Sequence, residues 1–305
     1  MTREPTFCFN GTMIRSTTLL LTFFLAFGSR PLTPEEQAWN QPVPPFRVAG
    51  NVYYVGATEI ASYAIRTEKG LILLDSGFAE TVPLIERNLR ILGLDIKDVK
   101  ILLNSQAHFD HAGGFAELKR RTSAQLYVSA GDKPQIEDGA LHDFAFGSRF
   151  PFEPAHVDHI VGDGETVTLG STRMTAHLTP GHTKGCTTWT MQVREGGHTY
   201  DVVFLGGLGA PGYRLIGNDL YPTLADDLKR SFATVRALHC DIVLGAHGSY
   251  FGLTEKRARL GKGTANPFID HQALTQYVDE QEHSFHEALA VQQKQEKEKT
   301  AAGGN

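Results

Sequence analysis

The sequence predicts an α/β sandwich in which two βα halves pack sheet to sheet, with helices on the outside. Short runs of β-branched, aromatic or continuously apolar residues occur in both halves of the chain and indicate strands. Apolar residues at helical spacing follow such runs at residues 81–92 and again at 224–238. Each half therefore has strands, then a helix, then strands again. This repeated order is typical of two sheets layered between helices.

Residue types justify the elements of the first half. Residues 71–74, with the sequence LILL, are continuously apolar, as expected of a strand buried on both faces, and the turn signal DSG follows at residues 75–77. The prediction for this half is strands at 52–55, 62–65 and 71–74, a helix at 81–92, a strand at 100–103, a helix at 113–121 and a strand at 125–129.

The second half begins with a long loop at residues 138–154, where phenylalanines alternate with glycine and proline. Two runs around the Glu195-Gly196-Gly197 turn predict a hairpin. The prediction for this half is strands at 165–169, 173–178, 187–193 and 199–204, a helix at 224–238, a short buried strand at 241–244 and a helix at 271–291.

The N-terminus predicts an export signal over residues 1–29. Arg15 precedes an apolar run at residues 16–27, and the small pair Gly28-Ser29 offers a cleavage site. Met13 is the better start, because it leaves a leader of normal length. A membrane anchor is the alternative, but the run is short for a bilayer. We therefore expect a periplasmic protein with no stable membrane association after cleavage.

The predicted folded unit is a single domain at residues 30–291, followed by a tail at 292–305 that is charged and then glycine-rich, and that we expect to be disordered. The formal net charge of −5 comes from interspersed acidic and basic residues without a basic face, which argues against nucleic acid as a partner. We expect a monomer.

Three cysteines leave the redox state open. Cys8 would be lost with the leader, and Cys186 and Cys240 lie in apolar segments. An exported domain could join these two in a disulfide, but buried free thiols are at least as consistent with their surroundings.

Metal-binding side chains are concentrated after the strand predicted at 100–103. His108, Asp110 and His111 fall within four positions, and packing alone rarely produces such a cluster. Imidazole nitrogens and carboxylate oxygens are zinc ligands. Gln106 and His108, two apart, could face one metal, while Asp110 and His111, past the bend, could face a second.

Two further histidines occur in the same context. His182 follows the strand predicted at 173–178, and His247 follows the strand at 241–244. Binding sites in layered α/β folds form at strand ends, so both are candidate ligands. The other nine of the thirteen histidines are interpreted as surface or hydrogen-bonded residues.

These motifs resemble a known family. The run HFDHAGG at residues 108–114 resembles the signature of the metallo-β-lactamase superfamily, with Asp75 in its upstream LLDSG segment. The segments TPGHTKGCTTW at 179–189, APGYRL at 210–215 and WNQPVPPF at 39–46 are similar to the third subclass of class B β-lactamases.

The resemblance implies an αββα sandwich of two mixed β-sheets flanked by helices, with one or two zinc ions. It implies a first site of Gln106, His108 and His182 and a second site of Asp110, His111 and His247. It further implies that a hydroxide between the metals attacks a β-lactam carbonyl, with Asp110 as a catalytic residue and Tyr213 as a possible oxyanion donor. Such an enzyme would confer resistance to β-lactams such as carbapenems.

Several residues depart from the family pattern. Gln106 stands where most members have histidine, so we expect a weakened first site, unless Gln106 only hydrogen-bonds to the ligands. Gly207 and Gly209 stand where many relatives have serines, so contacts to a substrate carboxylate must come from elsewhere. The family's frequent disulfide would join Cys240 to position 274. We expect it to be absent, because residue 274 is a leucine.

Two other functions stay open. A lactonase or thioesterase of the superfamily is the first, although such enzymes carry a bridging aspartate near Gly207, and the next carboxylate here is Asp219. A non-catalytic zinc-binding protein is the second. Phe144 and Phe146, on the long loop, would either contact an apolar substrate group or pin the loop to the core.

Overall fold

A computed structural model describes residue 1, residues 30–263 and residues 265–302 of the chain. Apart from Met1, the predicted leader and Cys8 lie outside these residues, as does the end of the tail at 303–305. No helix in the described part combines the length and hydrophobicity that crossing a bilayer requires.

The described strands form two mixed sheets. The first has seven strands in sequence order: β1 (Phe46–Ala49), β2 (Val52–Tyr54), β3 (Tyr63–Thr67), β4 (Gly70–Leu74), β5 (Val99–Leu103), β6 (Gln125–Ser129) and β7 (His159–Val161). The second has five, in the order β12-β11-β10-β9-β8: β8 (Thr166–Leu169), β9 (Thr172–Leu178), β10 (Thr187–Glu195), β11 (His198–Leu205) and β12 (Ile242–Gly245).

Helices cover the sheets and connect them. They are α1 (Pro34–Trp39), α2 (Val82–Ile91), α3 (Phe109–Ala112), α4 (Phe115–Arg121), α5 (Lys133–Asp138), α6 (Leu224–Arg236), α7 (Leu253–Arg259) and α8 (Ala273–Ala302). Strands β4 to β7 run parallel, as do β11 and β12, and the other pairs are antiparallel. The predicted αββα sandwich is confirmed.

The continuous apolar runs are explained by burial on both faces of the first sheet. In β4, Ile72 and Leu74 join a core that both sheets share, with Trp189 and Phe204 from the second sheet. Leu71 and Leu73 point the other way, into a second cluster that includes residues of α2 and α4. A strand between two apolar layers has no polar face, so its sequence does not alternate.

The C-terminal tail differs from the prediction. Helix α8 continues to Ala302, so the expected disorder is wrong for residues 292–302. This segment is rich in Gln, Lys, Glu and Ala, which are strong helix formers and extend a helix that is already nucleated. Its first residue, Gln292, also bonds to the rest of the fold, through the backbone of Tyr213 and Leu215.

The two described cysteines are free thiols, with Cys186 buried and Cys240 partly buried. The expectation that the bridge at Cys240 is lost is consistent with this, because Leu274 is a buried core residue.

Candidate active site

The candidate ligands come together at one edge of the sandwich, where β5, β9, β11 and β12 end or turn. The two sheets are joined there by main-chain bonds: Thr187 N–H donates to the Ser105 carbonyl at 2.7 Å, and Ala61 N–H to the Ala246 carbonyl at 2.9 Å. Loops that are far apart in sequence therefore meet at a rigid edge.

His108 and His182 form a first donor group. His108 Nδ1 lies 3.2 Å from His182 Nε2. His182 Nδ1 lies 2.7 Å from the Gly209 carbonyl, which can only accept, so the proton belongs on Nδ1 and the Nε2 lone pair is free. On the far side of His108, Nε2 lies 3.4 Å from the Tyr213 hydroxyl oxygen, which can accept from Nε2–H because the hydroxyl donates its own proton to the His182 carbonyl. An Asp143 carboxylate oxygen lies farther from the same nitrogen, at 3.6 Å. With the His108 proton on Nε2, the lone pairs of His108 Nδ1 and His182 Nε2 face each other.

Asp110, His111 and His247 form a second donor group, in which one ligand atom from each lies within 4.8 Å of the others. An Asp110 carboxylate oxygen is 3.2 Å from His111 Nε2 and 3.5 Å from His247 Nε2, and the two imidazole nitrogens are 3.0 Å apart. Asp110 and His111, predicted to lie past the bend, are on the single turn of α3.

Gln106 is fully buried in the same edge, and neither of its side-chain amide atoms has a hydrogen-bond partner in the described part of the chain. Its backbone is well held: Asn104 Nδ2 donates to the Gln106 carbonyl at 2.6 Å, and Trp189 Nε1 donates to the Asn104 carbonyl at 2.9 Å. A buried amide without partners costs free energy. A cation beside its oxygen would remove part of that cost.

The electrostatics favour a cation between these side chains. Burial, together with the neighbouring His182, holds the pKa of His108 well below its usual value, so its imidazole is neutral and able to ligate. Burial, with a contribution from His111, lowers the pKa of His247 to about 3. Burial opposes the charge on Asp110, but His111 and His247 outweigh it and hold the Asp110 pKa far below normal.

The pKa of His111 also indicates that positive charge is favoured beside Asp110. Burial alone would lower its pKa, but the adjacent Asp110 carboxylate more than offsets this and leaves the pKa raised. The Asp110 carboxylate therefore favours a positive charge beside it. A proton on His111 can supply that charge, and so could a bound metal ion.

Two buried carboxyl groups hold the ligand-bearing loops. Asp75 accepts bonds from the Ser105 backbone N–H at 2.8 Å and from its hydroxyl at 2.6 Å, and burial raises the Asp75 pKa to about 6. Asp132 accepts from the Thr183 hydroxyl at 2.8 Å and the Gly185 N–H at 2.7 Å. Each carboxyl group thereby fixes residues next to a candidate ligand.

The hydroxyl of Tyr213 has a different partner from the one that the family resemblance suggested. It donates to the His182 carbonyl at 2.9 Å, and it lies 3.4 Å from His108 Nε2. The ring is buried, with 4% of the residue exposed. A phenol has one proton to donate, so in this conformation Tyr213 holds the His182 loop rather than an oxyanion.

Gly207 allows His182 to approach. A Cβ at this position would lie 2.8 Å from a carbon of the His182 ring, closer than real Cβ contacts. In this conformation, a side chain at residue 207 would require the His182 ring to shift.

The long loop at 139–158 closes over the first donor group. Phe144 is buried against the rings of Tyr213 and Tyr221, with centroid distances of 5.3 and 4.9 Å, so it pins the loop to the core. Phe146 is less buried and lies 5.4 Å from the His108 ring. The two phenylalanines therefore have different environments.

Sequence reasoning missed the acidic residues that lie beside the candidate ligands or hold the loops that carry them. Asp143 and Asp132 are described above, and Glu59 lies 3.6 Å from His247 Nδ1. Asp132 follows β6, so a strand-end rule could have found it. Asp143 and Glu59 lie in irregular segments and have no sequence signal.

The donor set fits zinc. It offers neutral imidazole nitrogens and an ionised carboxylate, which are nitrogen and oxygen ligands of the kind that zinc takes. A second group of similar composition, Asp201, His239 and Asp241, has no comparable fit, because His239 is exposed and its Nδ1 is already 2.7 Å from an Asp201 carboxylate oxygen.

An αββα sandwich with such a donor set at its edge defines a class, the metal-dependent hydrolases. The model of the metallo-beta-lactamase superfamily matches residues 55–247, and the chain belongs to this superfamily.

Solved structures match along nearly their whole length. The FEZ-1 metallo-beta-lactamase from Legionella gormanii is 43% identical, with a TM-score of 0.82 over 83% of this chain and 98% of that one. BJP-1, a subclass B3 metallo-beta-lactamase of Bradyrhizobium japonicum, is 38% identical, with a TM-score of 0.80 over 84% of this chain and 97% of that one. The expected similarity to the third subclass is confirmed.

Curated relatives are more distant. The probable metallo-hydrolase YqgX of Bacillus subtilis is 29% identical over 176 residues, 57% of this chain and 77% of that protein. The hydroxyacylglutathione hydrolase GloC of Haemophilus influenzae is 26% identical over 213 residues, 68% of this chain and 90% of that protein.

Proposed function

We propose that this protein is a zinc-dependent β-lactamase that opens the lactam amide and confers resistance to β-lactams such as carbapenems. The proposed ligands are Gln106, His108 and His182 at the first site and Asp110, His111 and His247 at the second. The observation that carries the proposal is the pair of buried donor groups, with imidazole nitrogens 3.2 and 3.0 Å apart, in a chain similar to subclass B3 enzymes.

Zinc, when bound, supplies a Lewis acid and lowers the pKa of a coordinated water to about 7. The residues of the chain perform the remaining tasks. Asp110 is ionised at neutral pH and can accept a hydrogen bond from the attacking water, which orients it. The Gly209 carbonyl sets the tautomer of His182, and the Tyr213 oxygen can accept from His108 Nε2–H. Tyr213 serves as a positioning residue, through its bond to the His182 carbonyl.

Gln106 makes the first site the weaker one. A neutral amide oxygen is a poorer zinc ligand than an imidazole, so we propose that the second site fills first and that one or two ions are bound, depending on free zinc.

The second candidate function is hydrolysis of a thioester or lactone, which the similarity to a hydroxyacylglutathione hydrolase favours. The segment after β11 argues against it, because residues 206–218 contain no carboxylate that could bridge two metals. A non-catalytic zinc-binding role is the third, and the complete second donor group argues against it.

The experiment compares substrates on one preparation of purified protein. We expect hydrolysis of nitrocefin and meropenem that a chelator abolishes and added zinc restores, and that Asp110→Asn reduces by at least about a hundredfold. Turnover of an acyl-homoserine lactone or a glutathione thioester without β-lactam hydrolysis would support the second function. Zinc binding with no turnover of any of these substrates would support the third.

We further propose that residues 1–29 direct export and that the mature protein is a periplasmic monomer with a single domain. The apolar run at residues 16–27 supports export. N-terminal sequencing of protein from the periplasmic fraction, with its mass in solution, tests this. A mature protein that begins at Met1 or Met13 would contradict cleavage.

A further inference from the structure

A cavity of about 360 Å³ adjoins the two donor groups. His182 and His247 line one end, and the segment after β11, with Gly209 and Pro211, lines one side. Helix α8 lines the opposite side with Gln281, Ser284, Phe285 and Ala288. The cavity therefore extends from the candidate ligands to a helix whose sequence carries no catalytic motif.

The side chain of Gln281 occupies the space that Gly209 leaves. A Cβ at Gly209 would lie 3.0 Å from Gln281 Oε1, so the end of the Gln281 side chain stands where a residue-209 side chain would begin. Helix α8 thus supplies a polar group beside Gly209, where the segment after β11 has no side chain.

Gln281 and Ser284 are available for a ligand. They are three residues apart on a helix and so lie on the same face. Within the described residues, neither side chain has a hydrogen-bond partner, although Gln281 is only partly exposed. An amide and a hydroxyl can both donate to an anion. Phe285 and Ala288 provide an apolar surface beside them.

The charge of the cavity indicates which group it binds. Its described lining contains no Asp, Glu, Lys or Arg, so no carboxylate there would repel an anion. A bicyclic β-lactam carries a carboxylate beside the lactam nitrogen. With the lactam at the histidine end, a carboxylate could extend towards the neutral donors on α8.

We propose that Gln281 and Ser284 bind the substrate carboxylate, with Gln281 as the main specificity-determining residue. This inference rests on the proposed β-lactamase function. Hydrogen bonds to a charged group are stronger than those between neutral groups, so a neutral amide is sufficient to discriminate an acid from an ester.

The test compares benzylpenicillin with its methyl ester, which lacks the negative charge. Gln281→Ala should raise KM for the acid about tenfold with kcat within about twofold, and should leave the ester unchanged. Gln281→Glu should raise KM for the acid further, by charge repulsion, and again spare the ester. Gln276→Ala, an exposed glutamine of the same helix, is the matched control and should behave as wild type.

A binding measurement provides a second readout. In the Asp110→Asn protein, calorimetry should show benzylpenicillin binding that weakens about tenfold when Gln281→Ala is added. The zinc content and melting temperature of each Gln281 variant should equal those of the protein, wild type or Asp110→Asn, into which it is introduced, which would exclude a folding defect.

The failures are distinguishable. If neither penicillin is hydrolysed by the wild type, the proposed function fails. If both are hydrolysed but the Gln281 variants change acid and ester equally, or change neither, the carboxylate assignment is overturned while the function stands.

Discussion

At the scale of single residues, the site differs from its family pattern at positions where the structure gives a physical reason. At Gly207, the His182 ring packs so closely that a Cβ would lie 2.8 Å from one of its carbons. Gln106 is buried without hydrogen-bond partners among the described residues, which is costly unless it faces a cation. We therefore expect single substitutions at such positions to change metal binding.

We predict that Gln106→His tightens zinc binding at the first site by about tenfold or more, because imidazole is the better zinc ligand. Mass spectrometry at limiting free zinc should find the variant with two ions where the wild type holds about one. Gln106→Leu, which has no ligand atom, should bind no more zinc than the wild type. Equal zinc contents in the histidine variant and the wild type would show that residue 106 does not ligate.

At the scale of elements, the ligands depend on contacts between loops and helices distant in sequence. Asp132, just after β6, holds the loop between β9 and β10 that carries His182. Gln292, on α8, holds the segment that carries Tyr213: its Nε2 donates to the Tyr213 carbonyl, and its Oε1 accepts from Leu215 N–H, each at 2.8 Å. Both contacts act on residues around the site without touching a ligand atom.

Asp132 is predicted to make stability depend on pH. Burial raises its pKa to about 7, above the value of about 4 in an unfolded chain, so ionisation disfavours the folded state. The contribution of protonated Asp132 to the free energy of unfolding is fully present below pH 4. It is lost as the pH rises to 7, by at most ~1.4 kcal/mol per pH unit. Urea unfolding of the wild type and Asp132→Asn at pH 5 and 7.5 measures this.

The Asp132→Asn variant should be less stable than the wild type at both pH values. The two carboxylate oxygens of Asp132 each accept a hydrogen bond, and in asparagine one of them is replaced by an NH₂ group that cannot accept. Its deficit relative to the wild type should be smaller at pH 7.5 than at pH 5. A deficit that is constant or grows with pH would mean that Asp132 does not titrate in this range.

Gln292→Ala is predicted to loosen the Tyr213 segment and lower kcat/KM about three- to tenfold, because two hydrogen bonds to its backbone are lost. Gln293→Ala, at the exposed neighbouring position, should leave it unchanged. Backbone hydrogen exchange at residues 210–216 should be faster in Gln292→Ala and not in Gln293→Ala. Unchanged exchange at these residues in Gln292→Ala would contradict the predicted loosening.

At the scale of the whole molecule, the candidate metal ligands come from both sheets. His108, Asp110 and His111 follow β5 of the first sheet, whereas His182 and His247 follow β9 and β12 of the second. An ion held between them binds only the folded chain, so it stabilises the fold by mass action.

Chelation is therefore predicted to lower the melting temperature, with a loss of ~4 kcal/mol if free zinc had been a thousand times the dissociation constant. Calorimetry with and without chelator measures this, with metal content checked in each sample. His247→Ala should melt lower and respond much less, whereas His239→Ala, an exposed histidine outside the site, should respond as the wild type does. An unchanged melting temperature after complete zinc removal would contradict the prediction.

The sequence by itself determined the layered α/β fold and the candidate ligands, because both are expressed in local patterns. The apolar run in β4 and the helical spacing in α2 and α6 arise from burial of neighbouring residues, and His108, Asp110 and His111 lie within four positions. Residues 292–302 differ from the sequence prediction, because the charged, polar composition that indicates disorder also favours the helix that forms there.

Only the tertiary structure decided how the ligands pair and what supports them. His108 meets His182 across 74 positions, and His111 meets His247 across 136. Gln281 reaches the space left by Gly209, 72 positions away (281 − 209), which no local pattern predicts. These contacts depend on strand order and on the docking of α8, which are set by the packing of the whole core rather than by adjacent residues.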